Sequence, residues 1–106
     1  MSDLLTVEQR NNRRLAKIHK LKRENRTLSS QRKVSAKMLK EVNNSYLSAV
    51  ANVVVNGGNV DFVHNQRKMM LDVLIIKLSK LSEKIGKNSA KIQKLRTLIN
   101  QSKVKI

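Results

Sequence analysis

From Leu71 onward, apolar residues return at every third and then fourth position. Leu71, Leu78, Ile85, Ile92, Ile99 and Ile106 stand seven apart, and Leu74, Leu81, Asn88, Leu95 and Ser102 each follow three residues later. A seam with a seven-residue repeat keeps one helix facing another along its length, so this half predicts a coiled-coil helix over about 61–104. Asn88 interrupts the seam with a polar group, which fixes register at a cost in stability. Gly86 weakens the same helix by about 1 kcal/mol relative to alanine.

The first half carries the repeat less cleanly. Its seam reads Leu4, Val7, Asn11, Arg14, Ile18, Leu21, Asn25, Leu28, Arg32, Ser35, Leu39, Val42, Tyr46, Ala49 and Val53, and predicts a helix over about 6–54. The polar stretch over 25–35 should pack loosely or be completed by a partner. Thr6-x-x-Gln9 has the pattern of a capping box at the helix start, and Asn59 or Asp61 is placed to cap the second helix.

Between the two lies NVVVNGGNVDFV, residues 52–63. Asn-Gly between apolar residues marks a tight β-hairpin when strands flank it. Here the flanks run into helical periods, and proline is absent throughout, so the segment reads as an elbow over 55–60 between two helices. The predicted fold is all-α: one domain, 1–106, built as a long antiparallel two-helix hairpin. A local β-hairpin at the elbow, or one continuous helix paired with another chain, are the competing readings. The repeat does not decide whether the seam closes within a chain or joins copies, so a homo- or hetero-oligomer through it stays open.

Charge changes the picture most. Lys and Arg number 23 against seven Asp and Glu, a formal +16 in 106 residues. Such self-repulsion implies an acidic partner or electrostatic solubility. Aromatic side chains are confined to Tyr46 and Phe62, which suits a thin helical assembly better than a globular core. Between Glu41 and Gln66 there is no Lys or Arg; the basic residues lie on the two shafts.

On the second shaft Lys77, Lys80, Lys84, Lys87, Lys91 and Lys94 are spaced 3, 4, 3, 4, 3, which stacks them on one helix face beside the seam. Arg10, Arg13, Lys17 and Lys20 repeat that spacing on the first, within the basic run that also holds Arg14, Lys22 and Arg23. Rows of like charge at i, i+3 and i, i+4 repel one another. The first helix offers only Asp3, Glu8, Glu24 and Glu41 in compensation, so an external acidic partner is the better explanation than pairing across the hairpin. These thirteen cations are the candidate polyanion-binding residues. The basic run has no aromatic side chain on which bases could stack, so nucleic acid would be held by its backbone with little sequence preference.

Catalytic chemistry finds no footing. His19 and His64 stand apart, with no acid pair at ligand spacing, and cysteine is absent, so neither a metal site nor a disulfide framework is expected. Gly57-Gly58 lacks the Lys-Ser/Thr of a phosphate-cradling loop, and no serine has a His and an acid as helical neighbours. Met38, Met69 and Met70 read as seam packing. No enzymatic activity and no cofactor are expected. The N-terminus lacks the apolar run of a signal peptide, and MMLDVLII is too short to span a bilayer, so the chain reads as soluble and cytoplasmic, or associated with a nucleoid or virion.

Two functions follow as expectations. The first is a non-enzymatic binder of a polyanion, nucleic acid ahead of an acidic protein surface. The second is a structural or adaptor rod. In its layout of two basic shafts and a neutral elbow, the whole chain resembles the stalk components of flagellar and type III secretion export ATPases, which implies a cytoplasmic protein whose shaft contacts an ATPase ring. A phage or virion assembly protein would have the same layout. A membrane-surface role is disfavoured, because the apolar seam beside the lysines is regular enough to be filled by a partner helix.

Overall fold

The computed structural model describes residues 6–104. It consists of two helices, α1 (Val7–Val55) and α2 (Asp61–Val104), folded into an antiparallel hairpin, with no strand among the described residues. The capping box at the start of α1 forms in both directions: Gln9 N–H donates to Thr6 Oγ1 at 3.1 Å, and Thr6 N–H donates to Gln9 Oε1 at 3.0 Å. Two of the donors left free at a helix start are thereby satisfied.

The elbow resolves the Asn-Gly ambiguity in favour of helix termination. Gly58 N–H donates to Val53 O at 2.9 Å and Gly57 N–H to Val54 O at 3.1 Å, the paired bonds of a Schellman motif closing α1. That motif needs one residue in the left-handed region, and Gly57 supplies it at φ +70°. After Asn59 and Val60 the chain is helical again. Asn59 Oδ1 accepts from Asp61 N–H at 2.9 Å, and Val60 O accepts the first turn's bond from His64 N–H at 3.0 Å. Asp61 also places a carboxylate in the first turn, where the helix dipole favours it.

Packing divides the chain into two units: a terminal unit, Met1–Ser29 with Glu83–Ile106, and an elbow unit, Ser30–Ser82. The terminal unit has a core of Ile18, Leu21, Ile92 and Ile99, with Leu95 packed against it. The seam of α2 is therefore filled by α1 of the same chain here. Polar groups share this interface. Asn11 and Asn88 are buried, and Asn25 Nδ2 donates to Ser89 Oγ at 3.3 Å. Asn25 Oδ1 and Asn88 Nδ2 are buried without a hydrogen-bond partner.

The elbow unit buries less. Leu74 and Ser35 are its buried side chains, while Leu39, Val42, Tyr46, Val53, Leu71 and Leu78 are half-buried. Ser35 is wholly enclosed at 0 % exposure. Between Leu28 and Ser35 the first-half seam departs from expectation, since Arg32 is exposed. Val7 is exposed as well, and Leu4 and Ile106 lie outside the described residues. A strict seven-residue repeat drifts by ~20° per heptad on a 3.6-residue helix, and α1 has no apolar side chain at Arg32 to hold the seam in register. The methionines are a second departure. All three are expected in the seam, yet Met38 and Met70 lie exposed at its edge beside Val42 and Tyr46, and Met69 falls on the face of α2 opposite Leu71, Leu74 and Leu78.

Candidate polyanion-binding surface

The terminal unit concentrates the charge, with fifteen Lys and Arg against four Asp and Glu; the elbow unit has eight against three. How the fifteen are arranged follows from the helix period. Arg10, Arg13, Lys17 and Lys20 advance by three and four residues, which keeps them on one flank of α1, and the next member of that progression is Glu24. Lys84, Lys87, Lys91 and Lys94 occupy one flank of α2 by the same spacing. Lys84 Nζ meets Glu24 Oε1 at 4.0 Å. A member of one row thus touches a member of the other, so the two rows run along the same side of the unit. In sequence they were two separate rows; in the fold they form one double row.

The opposite side carries different cations. There Leu15, His19 and Lys22 of α1 line a shallow groove together with Arg96, Asn100 and Lys103 of α2. Lys22 therefore stands on the other edge from Lys17 and Lys20. Arg23 is exposed and belongs to neither row. Lys77 and Lys80 are exposed on α2 within the elbow unit.

Arg14 differs from its neighbours. Its guanidinium is half-buried between the helices, where Nη1 donates to Asn11 Oδ1 at 3.0 Å, Ser102 Oγ at 3.1 Å and Leu98 O at 3.5 Å. Ser102 Oγ in turn donates to Leu98 O at 2.9 Å. Arg14 thus satisfies polar groups across the hairpin. A guanidinium suits that position because its rigid fork reaches several acceptors at once. Its role in the seam and its place in the basic run coincide on one residue.

Two ion pairs lie within the surface. Lys87 Nζ lies 3.1 Å from Glu83 one turn earlier, and Lys84 has Glu24. Both are exposed pairs, which contribute at most ~1 kcal/mol and are screened by salt. They can exchange for an external anion at little cost.

The elbow unit holds a polar cluster that sequence reasoning did not find. Tyr46 Oη and His64 Nδ1 are 2.5 Å apart, the Arg67 guanidinium sits 4.5 Å from the centre of the Tyr46 ring, and Arg67 Nε donates to Asn43 Oδ1 at 3.1 Å. The stacked cation and the hydrogen bonds tie α1 to α2 near the elbow. His64 looks isolated in the sequence because Tyr46 lies 18 residues away in α1. Among the described residues, no three His, Asp or Glu gather at metal-binding distance, and no helix is long and apolar enough to cross a membrane. Comparison with protein-family models, with curated proteins and with solved structures gives no match.

Proposed function

We propose that the chain is a non-enzymatic binder of a polyanion, nucleic acid held through its phosphate backbone, and that the double row of the terminal unit makes the contacts. Arg10, Arg13, Lys17 and Lys20 act from α1, with Lys87, Lys91 and Lys94 beside them on α2. Lys84 completes the α2 row, and in the elbow unit Lys77 and Lys80 are separate candidate contacts. The observation that carries this reading is the meeting of the two rows at Glu24 and Lys84, which gathers like charges on one side with few carboxylates to offset them. Phosphates relieve that repulsion, and long flexible lysines follow a backbone without reading bases. Such a role belongs in the cytoplasm, or with a nucleoid or virion, where nucleic acid is met.

The test is fluorescence anisotropy of a labelled DNA duplex titrated with the protein over a range of salt concentrations, repeated with a scrambled sequence. Binding that weakens steeply and linearly with the logarithm of salt, equally for both sequences, supports the proposal. No binding at low salt, or binding indifferent to salt, overturns it.

The structural-rod reading retains one observation in its favour: the elbow unit leaves large apolar side chains in water, among them Val54, Val55 and Phe62. Val54→Asp and Lys84→Glu separate the two. A nucleic-acid binder loses function only with the second, whereas an assembly component also fails with the first.

A further inference from the structure

The elbow unit carries a second apolar repeat on α2, facing away from the hairpin. Phe62, Gln66, Met69, Val73 and Ile76 advance by four, three, four and three residues, the spacing of two heptads, and fall on the face opposite Leu71, Leu74 and Leu78. Phe62, Met69, Val73 and Ile76 are 72, 70, 65 and 55 % exposed. The stripe ends where the next position of the same progression becomes Lys80. We propose that this outer stripe is the contact surface for a second copy of the chain, which pairs stripe to stripe and leaves the inner seam of each hairpin intact.

Three features select a second copy as the occupant. The first is spacing: a seven-residue repeat is what a helix with the same repeat can match, knob into hole, and this chain supplies that partner itself. The second is charge. Over 61–76 the charged residues are Asp61, Arg67, Lys68 and Asp72, which sum to zero in a chain of +16. Two copies can approach here without net repulsion. An anionic lipid surface or an acidic protein would gain no net attraction from this stretch, where Arg67 and Lys68 are offset by Asp61 and Asp72. The third is area. Full pairing of Phe62, Met69, Val73 and Ile76 with their counterparts would bury on the order of 1,000 Å² in total, the lower bound for a specific interface. That size fits a reversible dimer. A patch this large is also at the upper end of what a monomer leaves in water.

Sedimentation velocity at about 0.5 M salt tests the inference, since screening there reduces charge repulsion and removes bound polyanion. The outcome is thus independent of whether the chain binds nucleic acid. The expected result is a concentration-dependent monomer–dimer equilibrium for the wild type. Val73→Asp should raise its dissociation constant at least about tenfold, the effect of a residue central to an interface, with the helical circular dichroism unchanged. Leu47→Asp, which alters an equally exposed apolar residue on α1, should leave the equilibrium as it was. A wild type that stays monomeric at about 0.1 mM, well above the range of a reversible dimer, overturns the proposal. So does a dimer that survives Val73→Asp, or one that both substitutions abolish. A monomer that captures a different protein through this stripe would assign the surface to that partner and also count against the second copy.

Discussion

Replacing Lys17, Lys91 and Lys94 together by glutamine removes three positive charges from the double row and leaves the rest of the surface in place. The matched control is Lys22→Gln with Arg96→Gln and Lys103→Gln, which removes three charges from the opposite edge of the same unit. All six residues are exposed and glutamine is as good a helix former as lysine or arginine, so neither triple should perturb folding. Apart from Lys84, which meets Glu24, the double row contains seven cations, Arg10, Arg13, Lys17, Lys20, Lys87, Lys91 and Lys94. If each meets one phosphate, the logarithm of the binding constant for duplex DNA should fall with the logarithm of salt at a slope of about −6, or roughly a 6,000-fold loss between about 50 and 200 mM. With four contacts left the slope becomes about −3.6, and the loss over the same interval shrinks to roughly 150-fold. The control should keep the steep slope. Anisotropy titrations at five or six salt concentrations resolve a difference of that size. Equal changes in the two triples would mean that net charge governs binding and that the face is incidental; unchanged slopes in both would remove the row from the mechanism altogether.

The fold makes further predictions that thermal and chemical unfolding can check. Gly86 sits in an exposed helical turn with nothing within 4 Å of an added Cβ, so Gly86→Ala should stabilise the chain by about 1 kcal/mol. Gly57→Ala should destabilise it by about 1–2 kcal/mol despite equally open surroundings, because its φ of +70° costs any residue with a Cβ; two shifts of the same sign would contradict the Schellman elbow. Ile99→Ala empties part of the terminal core and should cost about 2–4 kcal/mol in urea denaturation, a loss that an exposed position would not show. Asn25→Leu and Asn88→Leu form a cycle that asks whether the two buried, unpartnered amide atoms meet: a shared environment gives a coupling of about 1–2 kcal/mol and a double variant at least as stable as the wild type. Additive effects would show that the two amides do not share one environment.

The α2 seam was legible because every described position assigned to it, from Leu71 to Ser102, is buried or half-buried, and apolar residues at fixed spacing leave a helix one way to bury them. Both helix starts were legible for a local reason, since Thr6 with Gln9, and Asn59 with Asp61, act on neighbours no more than three residues away. Legibility failed where the partner is distant. Arg14 looked like one more cation in a basic run, but Ser102, 88 residues on, takes its guanidinium into the hairpin. Tyr46 and His64 could not be paired before the elbow was closed. The outer stripe is a different case. Its spacing is present in the sequence, but Met69 reads equally well as part of the first seam, and a helix with two apolar faces shows its second only when exposure is known. The double row was also latent, since Glu24 continues the progression from Arg10 to Lys20, and its contact with Lys84 is what places both rows on one side.

Within each unit, the surface left over after the seam is filled is unfavourable in its own way. In the terminal unit the apolar seam residues are consumed by the core, and what remains outside is a row of cations that repel at i, i+3 and i, i+4. In the elbow unit the outer face of α2 is apolar and its charges sum to zero over 61–76. Exposed charge is relieved by a polyanion and aggravated by a second copy; exposed hydrocarbon is relieved by a second copy and indifferent to a phosphate. The two surfaces therefore call for different partners, and high salt should act on them in opposite directions, weakening the first association while leaving the second unchanged or stronger. A single association that salt abolished in full, stripe variants included, would assign both surfaces to one electrostatic partner.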